Sequence, residues 1–194
     1  VAMDVTDEDQ VEAGFAKVEA AWGGIDVVIH AAGSMQALPI AMLEEEEWDE
    51  VVDAHLKGAY LFARAALKSM IRQKSGSIVF IGSFASERVV EAPAHYAAAK
   101  SGLRGLAEAL AREVGRHGVR VNVVAPGILD VGMGRSLLPH RVAEFRAQAA
   151  LGRMAGCIEA CLRGLSVIGE PVPASKAAPH SAGIKNRIII SIIR

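Results

Sequence analysis

The stretch Ser77-Ile-Val-Phe-Ile-Gly-Ser83-Phe-Ala-Ser-Glu-Arg-Val-Val-Glu-Ala-Pro93-Ala-His-Tyr96-Ala-Ala-Ala-Lys100 decides how this chain is read. Ser77 to Ile81 is a short apolar run, ended by Gly82 and Ser83, and reads as a buried strand. Pro93 suits the first turn of a helix, where its missing N–H would have no partner anyway. Tyr96 and Lys100 then lie four residues apart on that helix and share a face. A fixed positive charge beside a phenol lowers its pKa from about 10 towards neutrality. A phenol tuned that way can exchange a proton with a carbonyl or alcohol oxygen. The Ser83 hydroxyl, at the strand's carboxyl end, can bond the same oxygen. The three residues therefore point to carbonyl/alcohol redox chemistry. Taken alone, the Tyr96/Lys100 pair fits equally well an amphipathic helix with a surface tyrosine and lysine.

Working outward, the same alternation of strand and helix recurs. Gln10 to Trp22 carries Val11, Phe15, Val18 and Trp22 at helical spacing and is closed by Gly23-Gly24. Ile25 to His30 reads as a short apolar strand. Glu47 to Gln73 reads as one long helix with Val51, Val52, Leu56, Leu61, Phe62 and Leu67 on its buried side. The helix opened by Pro93 runs to about Val114, and Val119 to Val124 is a β-branched strand. Apolar strands alternating with helices predict an α/β fold: a Rossmann-like, doubly wound parallel sheet with helices on both faces. Ligands of such sheets bind beyond the carboxyl ends of the strands. His30 to Gly33, Ser83 and Pro126-Gly127 all fall at such ends, so one shared site is expected.

Composition narrows the function classes. The 194 residues are 52% apolar but only 5% aromatic, so the core is built mainly from Ala, Val, Ile and Leu. The formal net charge is −1, with no basic stripe to suggest nucleic acid. Glu44 to Glu47 falls where a helix begins, where carboxylates are favoured by the helix dipole, and reads as a solvated helix start rather than a metal site. No apolar run approaches the ~20 residues of a membrane span, and no secretory signal is visible. A cytoplasmic protein is expected. Cys157 and Cys161 have no matching ligand pair for zinc, so no metal is expected and two ordinary thiols are.

Residues 1–154 resemble the short-chain dehydrogenase/reductase family, in particular its 3-oxoacyl-(acyl carrier protein) reductase-like branch. The resemblance is carried by segments in the family's order. Asp4-Val5-Thr6-Asp7 is similar to the segment that meets the adenine ring. Asp26-Val-Val-Ile-His30-Ala31-Ala32-Gly33 resembles the strand ending in Asn-Asn-Ala-Gly. His55-Leu-Lys-Gly58 resembles the Asn-Leu-Lys-Gly stretch of the next helix. Ser83, Tyr96 and Lys100 match the catalytic serine and the Tyr-x-x-x-Lys pair. Val119 to Gly127, followed by Ile128, matches the strand and Pro-Gly turn beside the nicotinamide.

The resemblance implies an oxidoreductase using NADP or NAD, with NADP favoured, that interconverts a ketone and a secondary alcohol; a 3-oxoacyl thioester is one such substrate. It implies Tyr96 as general acid, Lys100 as the residue that holds the ribose and tunes the phenol, and Ser83 as the group that polarises the carbonyl. It places Asp4, Val5, His30, Ala31, Ala32, Gly33, Tyr96, Lys100, Pro126, Gly127 and Ile128 along the cofactor. Residues 131–150 correspond to the family's substrate lid, and read without it they form a surface helix packed on the body. Helices 47–73 and 93–114 match those through which members form homodimers and homotetramers.

Several positions depart from the pattern. His55 replaces the asparagine that helps hold a relay water. An imidazole can also bond water and titrates near neutrality, so a relay is one reading; a structural histidine bonding a backbone carbonyl is the other. His30 and Ala31 replace two asparagines, and Val131 stands where many members have threonine. The sequence contains no Gly-rich phosphate turn of the dinucleotide-binding type. The family pattern therefore implies a missing upstream βαβ unit, whose strands in the family lie at the centre of the sheet between the strand at Val1–Asp4 and the strand at Ile25–His30. The expected consequence is a fold truncated at its N-terminus, an unpaired edge on the second of these strands, and poor stability or weak cofactor binding. Beyond Met154 the resemblance stops, and 155–194 is a divergent tail. Within it Arg187 to Ile193 reads either as an added edge strand or as an exposed apolar segment. The competing function class is a non-catalytic remnant, a nucleotide-binding or dimerising module that kept the site by descent. A hydrolase with Ser83 as nucleophile lacks the G-x-S-x-G elbow.

Overall fold

The computed structural model describes residues 1–87, 91–129, 134, 137–148, 153 and 188–191. Four strands form one parallel sheet: β1 (Val27–His30), β2 (Gly76–Ile81), β3 (Val119–Val124) and β4 (Ile188–Ser191), in the order β3-β2-β1-β4. The helices are α1 (Glu8–Trp22), α2 (Glu45–Val52), α3 (Gly58–Gln73), α4 (Ala94–Val114) and α5 (Pro139–Gln148). β1 and β2 run in register from Val27↔Ser77 to His30↔Phe80, and β2 and β3 from Gly76↔Val119 to Ile81↔Val124. Their carboxyl ends therefore lie side by side, where the candidate residues follow in sequence.

The core is a seam of small and medium apolar side chains between this sheet and α1, α3 and α4. Val28, Ile78 and Phe80 from the strands are completely buried, with Phe62, Ala66 and Met70 of α3 and Leu103 of α4 packed against the same cluster. Phe15 of α1 meets Phe62 edge-on at 5.2 Å, which suits the ring quadrupoles. Gln73 closes the sheet's entry end: its amide accepts from Ile25 N–H (3.0 Å) and donates to Ile25 C=O (2.8 Å), giving backbone groups ahead of β1 the partners that burial demands. Gly118, before β3, has φ +73, and a Cβ there would lie 2.4 Å from the Lys74 carbonyl oxygen, so no other residue fits.

The structure revises the sequence reading in four places. The helix predicted over 47–73 is interrupted by a π-helical turn, Asp53–Lys57, between α2 and α3. The turn widens by one residue there, and the only sign of it in the apolar pattern is the five-residue step from Leu56 to Leu61. Residues 1–4 form no strand; instead the Asp4 carboxylate accepts from Thr6 N–H and Thr6 Oγ1, both at 2.8 Å, and its own N–H donates to Gln10. Trp22, expected on the buried face of α1, is half-exposed because it ends that helix beside Gly23. Finally β1 has no open edge: β4 pairs with it in parallel, Val27↔Ile188 to His30↔Ser191. Cys157, Cys161 and Val131 lie outside the described residues.

The acidic run behaves as expected. Glu45 to Glu47 open α2, and the Glu47 carboxylate accepts from Glu44 N–H at 3.0 Å. Among the described residues no cluster of His, Cys, Asp or Glu could hold a metal ion, and no helix is long and apolar enough to cross a membrane.

Candidate active site

A cavity of about 970 Å³ opens at the carboxyl ends of the strands. Ala31, Ser83, Tyr96, Lys100, Pro126, Gly127 and Ile128, all expected from the sequence, line it. The ends of β2 and β3 stay zipped past the regular strands, through Gly82 N–H to Val124 C=O (2.8 Å) and Phe84 N–H to Pro126 C=O (2.9 Å). This holds Ser83 and the Pro126-Gly127 turn on one rim. Ser83 caps the short 3-10 turn Phe84–Ser86, its Oγ accepting from Ala85 N–H at 3.1 Å. That contact uses a lone pair and leaves the Ser83 hydroxyl proton to donate into the cavity.

Tyr96 sits in the first turn of α4 and lines the same cavity as Ser83. Burial pushes the phenol's pKa up, an effect the neighbouring Ser83 hydroxyl partly offsets. The sequence reading had Lys100 lowering it. In the structure the Lys100 ammonium is 5.7 Å from the ring centroid and donates instead to the Ile81 carbonyl at 2.6 Å. Lys100 is itself only 4% exposed, and burial brings its pKa down to about 8. An ammonium has three N–H donors, so this bond leaves two for a ligand in the cavity. A sugar diol is a fitting acceptor, and the glycine and proline of the turn opposite let a flat ring approach the backbone. The residues present therefore fit the nicotinamide–ribose end of a dinucleotide.

His30, Ala32, Gly33 and His55 form a layer beside the cavity rather than its lining. His55 projects from the π-helical turn; it is fully buried, its Nε2 lies 2.7 Å from the Ser34 carbonyl oxygen, and its ring packs edge-on against Tyr96 at 5.3 Å. A Cβ on Gly33 would lie 1.7 Å from the His55 ring, so glycine is required there. Burial, aided by the Lys100 charge, holds His55 down at about 3 and His30 at about 4. The expectation that His55 titrates near neutrality is thus overturned: burial keeps both imidazoles neutral, and while His55 bonds the Ser34 carbonyl, neither ring nitrogen of His30 has a hydrogen-bond partner among the described residues. With Nε2–H donating to Ser34, the His55 Nδ1 keeps a lone pair that has no protein partner. Asp4 and Val5 do not line the cavity either; Val5 is buried against Gly58, and Asp4 is engaged with Thr6 and Gln10.

The sequence reading missed part of the lining. Met35 and Leu38 come from the irregular segment after β1, Ile40 from the 3-10 turn that follows it, and Glu91 from the approach to α4. Leu137, Leu138, Arg141 and Phe145 come from α5 and the residues just before it, so within the 131–150 region these described residues border the cavity. Clustered apolar residues at 35–43 without helical spacing were the available signal. Arg141 left none, because an arginine in an amphipathic helix normally faces solvent.

Comparison with known proteins decides the family. The family model described as enoyl-(acyl carrier protein) reductase matches residues 1–162. The chain belongs to the short-chain dehydrogenase/reductase family. Its similarity to the 3-oxoacyl-[acyl-carrier-protein] reductase FabG of Escherichia coli K12 is 34% identity over 157 residues, covering 81% of this chain and 64% of that protein. The corresponding reductase MabA of Mycobacterium avium is 39% identical over 137 residues, covering 71% and 54%. Among solved structures, gox2181 superposes with a TM-score of 0.77 at 28% identity, covering 80% of this chain and 63% of that one. A short-chain dehydrogenase/reductase structure from Burkholderia xenovorans gives 0.75 at 29%, covering 80% and 61%. The chain thus spans somewhat under two thirds of the length of the relatives it matches.

Proposed function

We propose that this short-chain dehydrogenase/reductase carries the hydride-transfer site of an NAD(P)-dependent oxidoreductase that interconverts a ketone and a secondary alcohol, with 3-oxoacyl thioesters as the favoured substrate class. The observation that carries the reading is that Ser83, Tyr96 and Lys100 line one cavity at the carboxyl ends of the strands. The FabG and MabA relatives support it, as does their naming as 3-oxoacyl reductases.

Bound in the cavity, a reduced nicotinamide supplies the hydride. The protein's part is to orient and to move one proton. Ser83 donates a hydrogen bond to the substrate oxygen and so fixes the carbonyl beside Tyr96. Tyr96, kept protonated by burial, gives its phenolic proton to the oxygen as negative charge develops there. Lys100 then faces a phenolate, which its ammonium stabilises, and its two remaining donors hold the ribose. Ala31, Pro126, Gly127 and Ile128 bound the nicotinamide end, Gly33 and Ala32 set the loop behind it, and Asp4 and Val5 belong to the adenine end. His55, a neutral group, holds the loop after β1 through the Ser34 carbonyl, and His30 is a neutral ring packed on Phe62. The cofactor is NADP or NAD.

The reading extends to assembly and place. Trp48 of α2 and Tyr60 of α3 are exposed, which suits pairing of copies through these helices and α4 into a homodimer or homotetramer in the cytoplasm. Residues 1–154 form the dinucleotide-binding body, and the tail contributes β4. The test is NADPH oxidation with an acetoacetyl thioester. Tyr96→Phe should reduce turnover by about a thousandfold or more while NADPH binding persists, the scale expected for losing a general acid. Near-normal turnover in Tyr96→Phe would refute the assignment.

A further inference from the structure

Three charged side chains line the cavity among the described residues: Lys100, Glu91 and Arg141. Lys100 belongs to the site above, and the other two form a separate group. Arg141 projects from α5, and Glu91 comes from the segment that leads into α4, so the pair joins two different walls. The guanidinium is ion-paired with Glu91 and, at 3.0 Å, with Glu144 one turn along α5. The Arg141 side chain is only 29% exposed, whereas that of Glu91 is 74% exposed. The stem of Arg141 therefore lies along the cavity while its charged head is drawn to the rim and neutralised there. The neighbouring lining is apolar: Leu137, Leu138 and Phe145 from the same wall.

We propose that Glu91 and Arg141 determine substrate charge: Glu91 sequesters the guanidinium, so the far end of the cavity accepts a neutral apolar chain and disfavours one ending in a carboxylate. This rests on the carbonyl-reductase reading of the same cavity. A carboxylate entering the wild-type cavity would meet a cation already satisfied by two carboxylates, and two like charges close by. Desolvating it there has no compensating partner. Removing the Glu91 charge frees one side of the guanidinium, which then offers a charge-assisted hydrogen bond to an anionic substrate end.

The experiment compares 2-octanone with 7-oxooctanoate, methyl ketones of equal chain length that differ in the terminal carboxylate. Their dissociation constants are measured by ligand-observed NMR on the whole chain, which needs no turnover. Wild type should bind the neutral ketone more tightly, and Glu91→Gln should shift the ratio towards 7-oxooctanoate by about tenfold, the scale of one charge-assisted hydrogen bond. Adding Arg141→Gln to Glu91→Gln should abolish that gain. Glu91 is exposed, so its substitution leaves the core intact, and circular dichroism checks this. An unchanged ratio in Glu91→Gln, a gain that survives the loss of Arg141, or failure of both probes to bind wild type overturns the proposal. The reductase reading fails separately, if bound 2-octanone is never reduced by NADPH.

Discussion

Acidification should destabilise this protein through two buried histidines, and the size of the effect follows from their positions. His30 and His55 are 1% and 0% exposed, and burial holds their folded-state pKa values at about 4 and about 3, against 6.5 in the unfolded chain. Below 6.5 the unfolded chain takes up protons that the folded chain refuses, so stability is full above that value and is lost as pH falls towards the folded pKa values. Going from about pH 7 to about pH 5 removes roughly 2 kcal/mol per histidine, about 4 kcal/mol for the pair. That is a large part of the ~5–15 kcal/mol that holds a typical domain together. The assay is urea unfolding followed by circular dichroism at both pH values, for wild type and His55→Asn. Asparagine keeps a donor for the Ser34 carbonyl but cannot take up a proton. Carboxylates contribute equally to both proteins, so the difference isolates His55. His55→Asn should lose about 2 kcal/mol less than wild type on acidification. An equal loss in the two proteins would refute the claim that His55 is held neutral by burial.

Other expectations are smaller in scope. Gly33→Ala places a methyl inside the His55 ring, so it should destabilise the fold, and the double variant Gly33→Ala/His55→Ala should recover part of the loss; thermal melts check both. Phe62→Ala removes a fully buried ring packed on Phe15 and His30 and should cost about 3–5 kcal/mol in urea unfolding. Glu8, Glu12 and Glu19 of α1 face Arg64, Lys68 and Arg72 of α3, all as exposed pairs. Charge reversal at Glu12 should therefore cost no more than about 1 kcal/mol, and molar salt should erase the difference.

Much of this architecture was legible in the residues because its strands are short, apolar and bounded by turn formers. Val119–Val124 was placed to the residue, and Ser77–Ile81 differs from β2 by Gly76 alone. Ser83, Tyr96 and Lys100 were legible because a strand end and a helical i, i+4 pair are local geometry. What escaped depends on contacts between distant segments. The π-helical turn at 53–57 is held where the His55 imidazole meets Ser34 and Gly33, which no periodicity encodes. The protonation state of His55 follows from complete burial, and residue type alone suggested the opposite. The same is true of Tyr96, whose pKa is governed by burial while Lys100 is turned towards Ile81. Arg141 reaches the cavity only because α5 folds over it; Ile188–Ser191 is the edge strand offered as one reading of 187–193, but its pairing with β1 spans most of the chain.

The central claim is that the Ser83–Tyr96–Lys100 cavity binds a nicotinamide dinucleotide with Lys100 as a direct ligand. A fluorescence titration of the purified chain with NADPH, beside its Lys100→Ala variant, tests this most directly. The account predicts saturable enhancement with wild type and its loss, by at least about tenfold in affinity, when the ammonium is removed. Identical titrations for the two proteins, or no saturable signal with wild type, would contradict it.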